Sequence, residues 1–188
     1  MADRPRRADA ERSIARILDA AVDCLADDPE ASMAAIARRA GVVRATIYVH
    51  FPTREALIDA ITRHAVEHVS AVIAAAQPGA GEPVAALRRV VAAAWRTLGR
   101  YHALVAINSR LPSEELHGRH GSALAALEPL IVRGQAAGAF RADVPPSWHL
   151  AVILALVHTA SAEARAGRIA EDRVEDALVG AVAGAVTT

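Results

Sequence analysis

The side chains best suited to recognising another molecule stand between positions 32 and 57, in the run SMAAIARRAGVVRATIYVHFPTREAL. Arg44 and Thr46 bring donors of the kind that read base edges, and Tyr48 and His50 bring groups that hold phosphates. Ala45 is small enough to permit close approach. Ile47 supplies an apolar anchor for the other side of the same short segment. Ser32 is a good helix N-cap, and Met33, Ile36, Ala37 and Ala40 follow it at helical spacing. Gly41 then supplies the left-handed residue that ends a helix. Arg44 to His50 forms a second, short segment, which Phe51-Pro52 stops. Helix, glycine turn and short helix over 32–50 is the helix-turn-helix pattern. In it the first helix braces across the backbone and about two turns of the second lie in the major groove of duplex DNA.

Other chemistry finds little support. Glu114, His117 and His120 are spaced at three, as metal ligands on a helix face would be, but Gly118 and Gly121 make a regular helix doubtful there. They read as a solvated surface group, and no metal is expected. There is no glycine-rich phosphate loop, no G-x-S-x-G run and no nucleophile pair in context. An enzyme is not expected, nor any cofactor beyond a small-molecule effector.

The rest of the chain must position those residues. Of 188 residues, 53% are hydrophobic and only 3% aromatic, with alanine prominent, which favours helix over sheet. Formal net charge is zero, and all 21 basic residues are arginine. Bulk charge therefore gives no reason to expect nucleic acid; a local motif has to. Cys24 is the single cysteine, so no internal disulfide forms. The first residues are basic without an apolar stretch behind them, and the longest apolar run, near Leu150–Val157, is too short to span a bilayer. A cytoplasmic protein with no membrane contact is the expectation. Residues 1–10, with Arg4, Arg6 and Arg7, read as a mobile arm, either solvated or touching phosphates. Ile14, Ile17, Leu18, Ala21 and Leu25 make one apolar helical face that ends near Asp27-Asp28-Pro29. Further helices are predicted from Thr53, over 82–99, around 124–134, over 147–166 and over 172–186. The whole reads as all-α. Residues 1–66 form a helix-turn-helix DNA-binding domain, and 67–188 a helical ligand-binding and dimerisation domain.

The order Ile36-Ala37, Ala40-Gly41-Val42, Thr46-Ile47-Tyr48, His50-Phe51 and Arg54-Glu55-Ala56-Leu57 resembles the TetR family of bacterial transcriptional regulators. The resemblance covers residues 13–62. It implies that Ser32 and Arg44 contact phosphate or base, that Ala45 and Thr46 face the groove, and that Tyr48, His50 and Arg54 clamp phosphates. Tyr48 also fits packing between the short helices, and His50 a cap on its own helix end. Val43 stands where the family usually carries Ser or Thr, so this DNA-facing position lacks a capping hydroxyl. The family implies a homodimer on a double-stranded operator, with a repressor released by a small effector; activators and corepressor-dependent regulators also occur. A non-DNA-binding helical module is the competing class.

Two expectations concern the second domain. The 147–166 helix is apolar nearly all round, so a partner subunit is expected to cover it. With the small residues of the last helix this predicts a four-helix, two-fold interface through Leu150, Ile153, Leu154, Val157, Leu178, Ala181 and Val182. Large or polar residues set in apolar helices, namely Trp95, His102, Asn108, Leu127 and His158, are candidates for a pocket taking a mainly apolar ligand, or else are core residues.

Overall fold

The structure, a computed structural model, describes residues 3–108 and 111–187. Its helices are α1 (Asp3–Asp27), α2 (Met33–Arg39), α3 (Arg44–His50), α4 (Arg54–Ala75), α5 (Pro83–Leu98), α6 (His102–Asn108), α7 (Ser113–Arg119), α8 (Gly121–Ala136), α9 (Pro146–Arg165) and α10 (Glu171–Val186). A 3-10 turn, Gly99–Tyr101, joins α5 to α6. Among the described residues the only extended pairing is an isolated bridge between Phe140 and Thr187. The fold is all-α, as the alanine-rich composition suggests.

Helix α1 starts at Asp3, where the sequence suggested a mobile arm. Nothing in the segment breaks a helix: Pro5 lies in the first turn, where its missing N–H is not needed, and Ala8, Ala10 and Glu11 are strong helix formers. The phosphate contacts considered for Arg4, Arg6 and Arg7 fall on side chains outside the described residues.

The chain divides into two compact units, Met1–His64 and Ala65–Thr188, and the division falls within α4. In the first unit Ile17, Ala21, Leu25, Ile36, Ile47, Leu57 and Ile61 are almost wholly buried. They come from four helices, two of which have seven residues. Helices that short are unstable alone and depend on this shared core.

In the second unit α5, α8, α9 and α10 pack on one another, and α6 packs on α9. The core is built from Leu87, Val90 and Val91 of α5, Leu127, Leu130 and Ile131 of α8, Leu150 and Ile153 of α9, and Val174, Leu178 and Val182 of α10. Phe140 is buried against α8, with its ring over Gly134. The Arg141 N–H then donates to the Val186 carbonyl at 2.9 Å, fastening the α8–α9 connection to the end of α10.

This packing corrects the interface expectation. Leu150, Ile153, Leu178 and Val182 belong to the subunit's own core, Leu154 is buried as well, and Val157 is half-buried against that core. Helix α9 is apolar on most sides because α6, α8 and α10 of the same chain surround it. The side chains left outside include Trp148, Ala155 and Thr159 on one face of α9, and the small residues Ala177, Gly180, Ala181 and Gly184 on α10. Of the residues expected at the interface, Ala181 alone is exposed.

Candidate functional site

Local chemistry sets the geometry of the helix-turn-helix. The Ser32 hydroxyl accepts from the Ala35 N–H at 3.2 Å and caps α2. At the other end Gly41 takes φ +66°. Its N–H donates to the Arg38 carbonyl at 3.2 Å and the Val42 N–H to the Ala37 carbonyl at 3.0 Å. That double closure is a Schellman motif, and it reverses the chain within two residues. Arg39 ties the end of α2 to α1 through Asp27 at 2.8 Å and, more loosely, Asp23 at 3.8 Å. Val43 precedes α3 with extended backbone and no side-chain cap.

Helix α3 turns one side chain fully inward, Ile47, with no exposed surface. Arg44, Ala45, Tyr48 and Val49 face out, while Thr46 and His50 are half-buried. The Arg44 guanidinium lies over the Tyr48 ring, 5.6 Å from its centroid. That stacking holds both side chains on the outer face while leaving the guanidinium edge and the phenol free to bond. His50 lies near Phe51 with ring centroids 6.4 Å apart. Val49 is 78% exposed and was not among the sequence candidates. The signal that marks it is its place four residues after Ala45, on the same stripe.

Arg54 sits differently from the phosphate clamp that the resemblance implied. Its Nη2 donates to the Pro29 carbonyl at 2.6 Å and its Nη1 to the Ala31 carbonyl. It is a positioning residue for the α1–α2 connection and hence for Ser32. Thr53 caps α4 through the Ala56 N–H at 3.1 Å. Arg54→Ala is expected to lower the stability of the first unit by about 1–2 kcal/mol, because two charge-assisted bonds go, and to weaken DNA binding with it. Urea unfolding followed alongside DNA titration checks this. Unchanged unfolding with weakened binding would return Arg54 to a direct phosphate contact.

In the second unit a cleft of about 680 Å³ opens between α5, α9 and α10. Trp95, His102 and Val174 line its apolar part. Trp95 and His102 have ring centroids 5.3 Å apart, and His102 Nδ1 is 3.1 Å from the Ser161 hydroxyl. Burial pulls the His102 pKa down, so the ring is neutral near pH 7. The rim is charged: Glu171, Asp172, Glu175 and Asp176 face Arg96 and Arg165. Arg96 holds Glu175 in a bidentate pair at 2.5–3.1 Å.

The other pocket candidates lie elsewhere. Leu127 is in the apolar core, and Asn108 and His158 are buried. His158 meets His120 edge to face at 5.3 Å, so His120 turns inward and the solvated group expected at 114–120 loses one member. The cause is a bond from the His120 ring to the Leu116 carbonyl at 2.8 Å, which fixes the ring over α9. Among the described residues no set of three or more candidate ligands could hold a metal. No helix among them is long and apolar enough to cross a membrane. Cys24 is buried, and burial pushes its thiol pKa up.

His158 carries a pH prediction. Burial, reinforced by charge repulsion from His120, lowers its pKa from 6.5 to about 4. The unfolded chain then binds the proton more readily than the folded one. Stability is full above pH 6.5 and is lost as pH falls through the window down to about 4. The thermal midpoint should drop across that window, and by less in His158→Phe, where this proton is absent. Identical pH profiles for the two proteins would remove His158 from the account.

Comparison with known proteins agrees with the geometry. Residues 17–61 match the family model described as bacterial regulatory proteins, tetR family. The HTH-type transcriptional repressor LfrR of Mycolicibacterium smegmatis is 46% identical over 81 residues, which span 43% of this chain and 43% of that protein's length. The HTH-type transcriptional regulator NfxB of Pseudomonas aeruginosa is 29% identical over 160 residues, covering 82% of this chain and 84% of that one. Among solved structures, LfrR in complex with proflavine superposes with a TM-score of 0.69 at 30% identity, over 95% of this chain and 98% of that one. The TetR transcription regulatory protein from Mycobacterium vanbaalenii superposes with a TM-score of 0.61 at 31% identity, over 98% and 100%.

Proposed function

The chain belongs to the TetR family of bacterial transcriptional regulators, and from that premise we propose that it is a repressor which holds its operator as a homodimer and is released by a small ligand. The observation that carries the DNA-binding part is α3 itself. It anchors through Ile47 and presents Arg44, Ala45, Tyr48 and Val49 outward. Arg44 suits a bidentate contact to guanine, and Tyr48 a phosphate oxygen. Ser32, Thr46 and His50 flank that face. The first 66 residues carry ten arginines and ten acidic residues, so contact geometry rather than bulk attraction does the selecting.

The small-residue stripe of α10 supports the homodimer. Ala177, Gly180, Ala181 and Gly184 let a second copy's helices approach closely, in a two-fold four-helix contact. A dimer places its two recognition helices one helical turn of DNA apart, roughly 34–36 Å. The cleft beside Trp95 and His102 supports the effector. Its apolar floor fits the mainly apolar body that the sequence suggested, and its charged rim, which carries both carboxylates and arginines, fits polar groups at the ligand's end. Ligand then shifts the population off DNA by its differential affinity for the two states.

The test is fluorescence anisotropy on duplexes from upstream of the protein's own gene, over a salt series, with and without proflavine. Tight, sequence-dependent binding whose logarithm falls linearly with log salt, and which proflavine weakens, is the expected outcome. Binding that proflavine strengthens would make the protein a corepressor-type regulator. Binding with no preference over control DNA, for these duplexes and for a pool of random ones, would defeat the reading.

A further inference from the structure

The outer face of α3 is more apolar than base and phosphate contacts by polar groups require. Among the described residues, the exposed large hydrophobic side chains are Val43, Tyr48, Val49, Val132 and Trp148. Three of these five fall on α3 or immediately before it. Val49 is the most exposed of all, at 78%. At about 100° per residue, Arg44, Tyr48, Ala45 and Val49 occupy an arc of about 140°. Ala45 and Val49 form its apolar half, and the stacked Arg44 and Tyr48 its polar half. Neither Val49 nor Ala45 has a packing role, since the helix is anchored by Ile47 alone.

From this we infer that Val49, with Ala45 one turn before it, is a specificity-determining residue that reads a thymine methyl group in the operator. The inference rests on the DNA-binding reading of α3. A seven-residue helix is about 10 Å long, so all of its outer face fits within a major groove roughly 12 Å wide. On that groove floor every base edge presents donors or acceptors, and the one apolar group is the C5 methyl of thymine. A branched aliphatic side chain has no bond to offer the other edges and would desolvate them at a cost. Val49 therefore favours thymine by contact and disfavours the alternatives by leaving their polar atoms unpaired. The polar half, beside it on the same helix, fixes the register in which that methyl is met.

The experiment starts from duplexes selected by the full-length protein out of a random pool. Each thymine in the selected site is replaced singly by deoxyuridine, which removes the methyl and nothing else. Affinities are then measured for the wild type, Val49→Ala and Val49→Thr. Removing the critical methyl should weaken wild-type binding about three- to tenfold, the scale of one buried methyl group. Val49→Ala should lose about as much on the thymine duplex and nothing further on the deoxyuridine one, so the two changes are non-additive. Val49→Thr, of similar shape and keeping one of the two methyls, should retain part of the methyl preference and fall between the wild type and Val49→Ala. Wild-type binding indifferent to every deoxyuridine substitution overturns the inference while leaving DNA binding intact. So do fully additive losses. A change in sedimentation of Val49→Ala without DNA overturns it too, by assigning the residue to a contact between copies. If no duplex is enriched, the DNA-binding reading itself fails and this inference falls with it.

Discussion

Ile47→Ala is expected to abolish operator binding while leaving residues 65–188 folded. Ile47 is the only fully buried side chain on α3 and has no exposed surface. Truncating a buried isoleucine to alanine costs about 2–5 kcal/mol, because lost contacts and a residual cavity add. A unit the size of 1–64 has a core supplying only about 3–5 kcal/mol of net stability. The helix has seven residues and cannot persist once its anchor goes. Amide exchange across 44–51 should rise to near the unprotected rate, and anisotropy on the operator should fall to the level of unrelated DNA. Ile47→Val, costing about 0.5–1.5 kcal/mol, should retain most binding. Wild-type affinity and exchange protection in Ile47→Ala would mean that the fold orients α3 by other contacts.

The second large effect is expected at Gly134, in the other unit. A Cβ placed there would lie 2.0 Å from Phe140 Cδ2, 2.2 Å from Cε2 and 2.7 Å from Cγ. The ring has little room to move, since Phe140 is 1% exposed. The chain on either side of it is held as well. The Phe140 N–H donates to the Gly134 carbonyl at 3.1 Å, and the next N–H, of Arg141, donates to Val186. Gly134→Ala should therefore destabilise by about 1–3 kcal/mol or more, the usual cost of overpacking, and lower the thermal midpoint by roughly 3–10 °C. Alanine is the better helix former in open positions, so helix propensity alone predicts the opposite sign. Pairing the change with Phe140→Leu should recover part of the loss, because the smaller side chain vacates the contested space. A midpoint that rises in Gly134→Ala would mean that the ring shifts freely.

Local signals in the sequence proved the most readable. The Ser32 cap, the Gly41 stop, the Thr53 cap and the Ile47 anchor each follow from one or a few neighbouring residues, and each is found where the sequence puts it. Most helix boundaries are readable for the same reason: glycine, proline and capping residues act within a turn. What depends on tertiary placement is not. Arg54 carries a charge suited to phosphate, and only the fold shows two carbonyls of the α1–α2 connection within its reach. Leu150, Ile153, Leu178 and Val182 look like a surface in want of a partner, because a helical pattern records that a face is buried and not by which chain. The stripe that α10 leaves outside is rich in alanine and glycine, which hydropathy patterns hardly register. The cleft is half readable. Trp95 and His102 stand out as large groups among small ones, but the acidic residues on its rim come from α10 and look like ordinary solvated charges in sequence.

The economy of α3 bears on how such a protein changes over generations. One inward residue holds the helix, so substitutions at the exposed positions 44, 45, 48 and 49 leave intact what keeps the head folded. Most mutations in a small domain are purged for lost stability before their effect on binding is ever sampled. Here that filter is nearly absent at the four positions that face outward. Duplicated copies of the gene are thus free to drift in the DNA they prefer while inheriting the same scaffold, and a library randomised at those four codons alone should yield folded proteins in most clones.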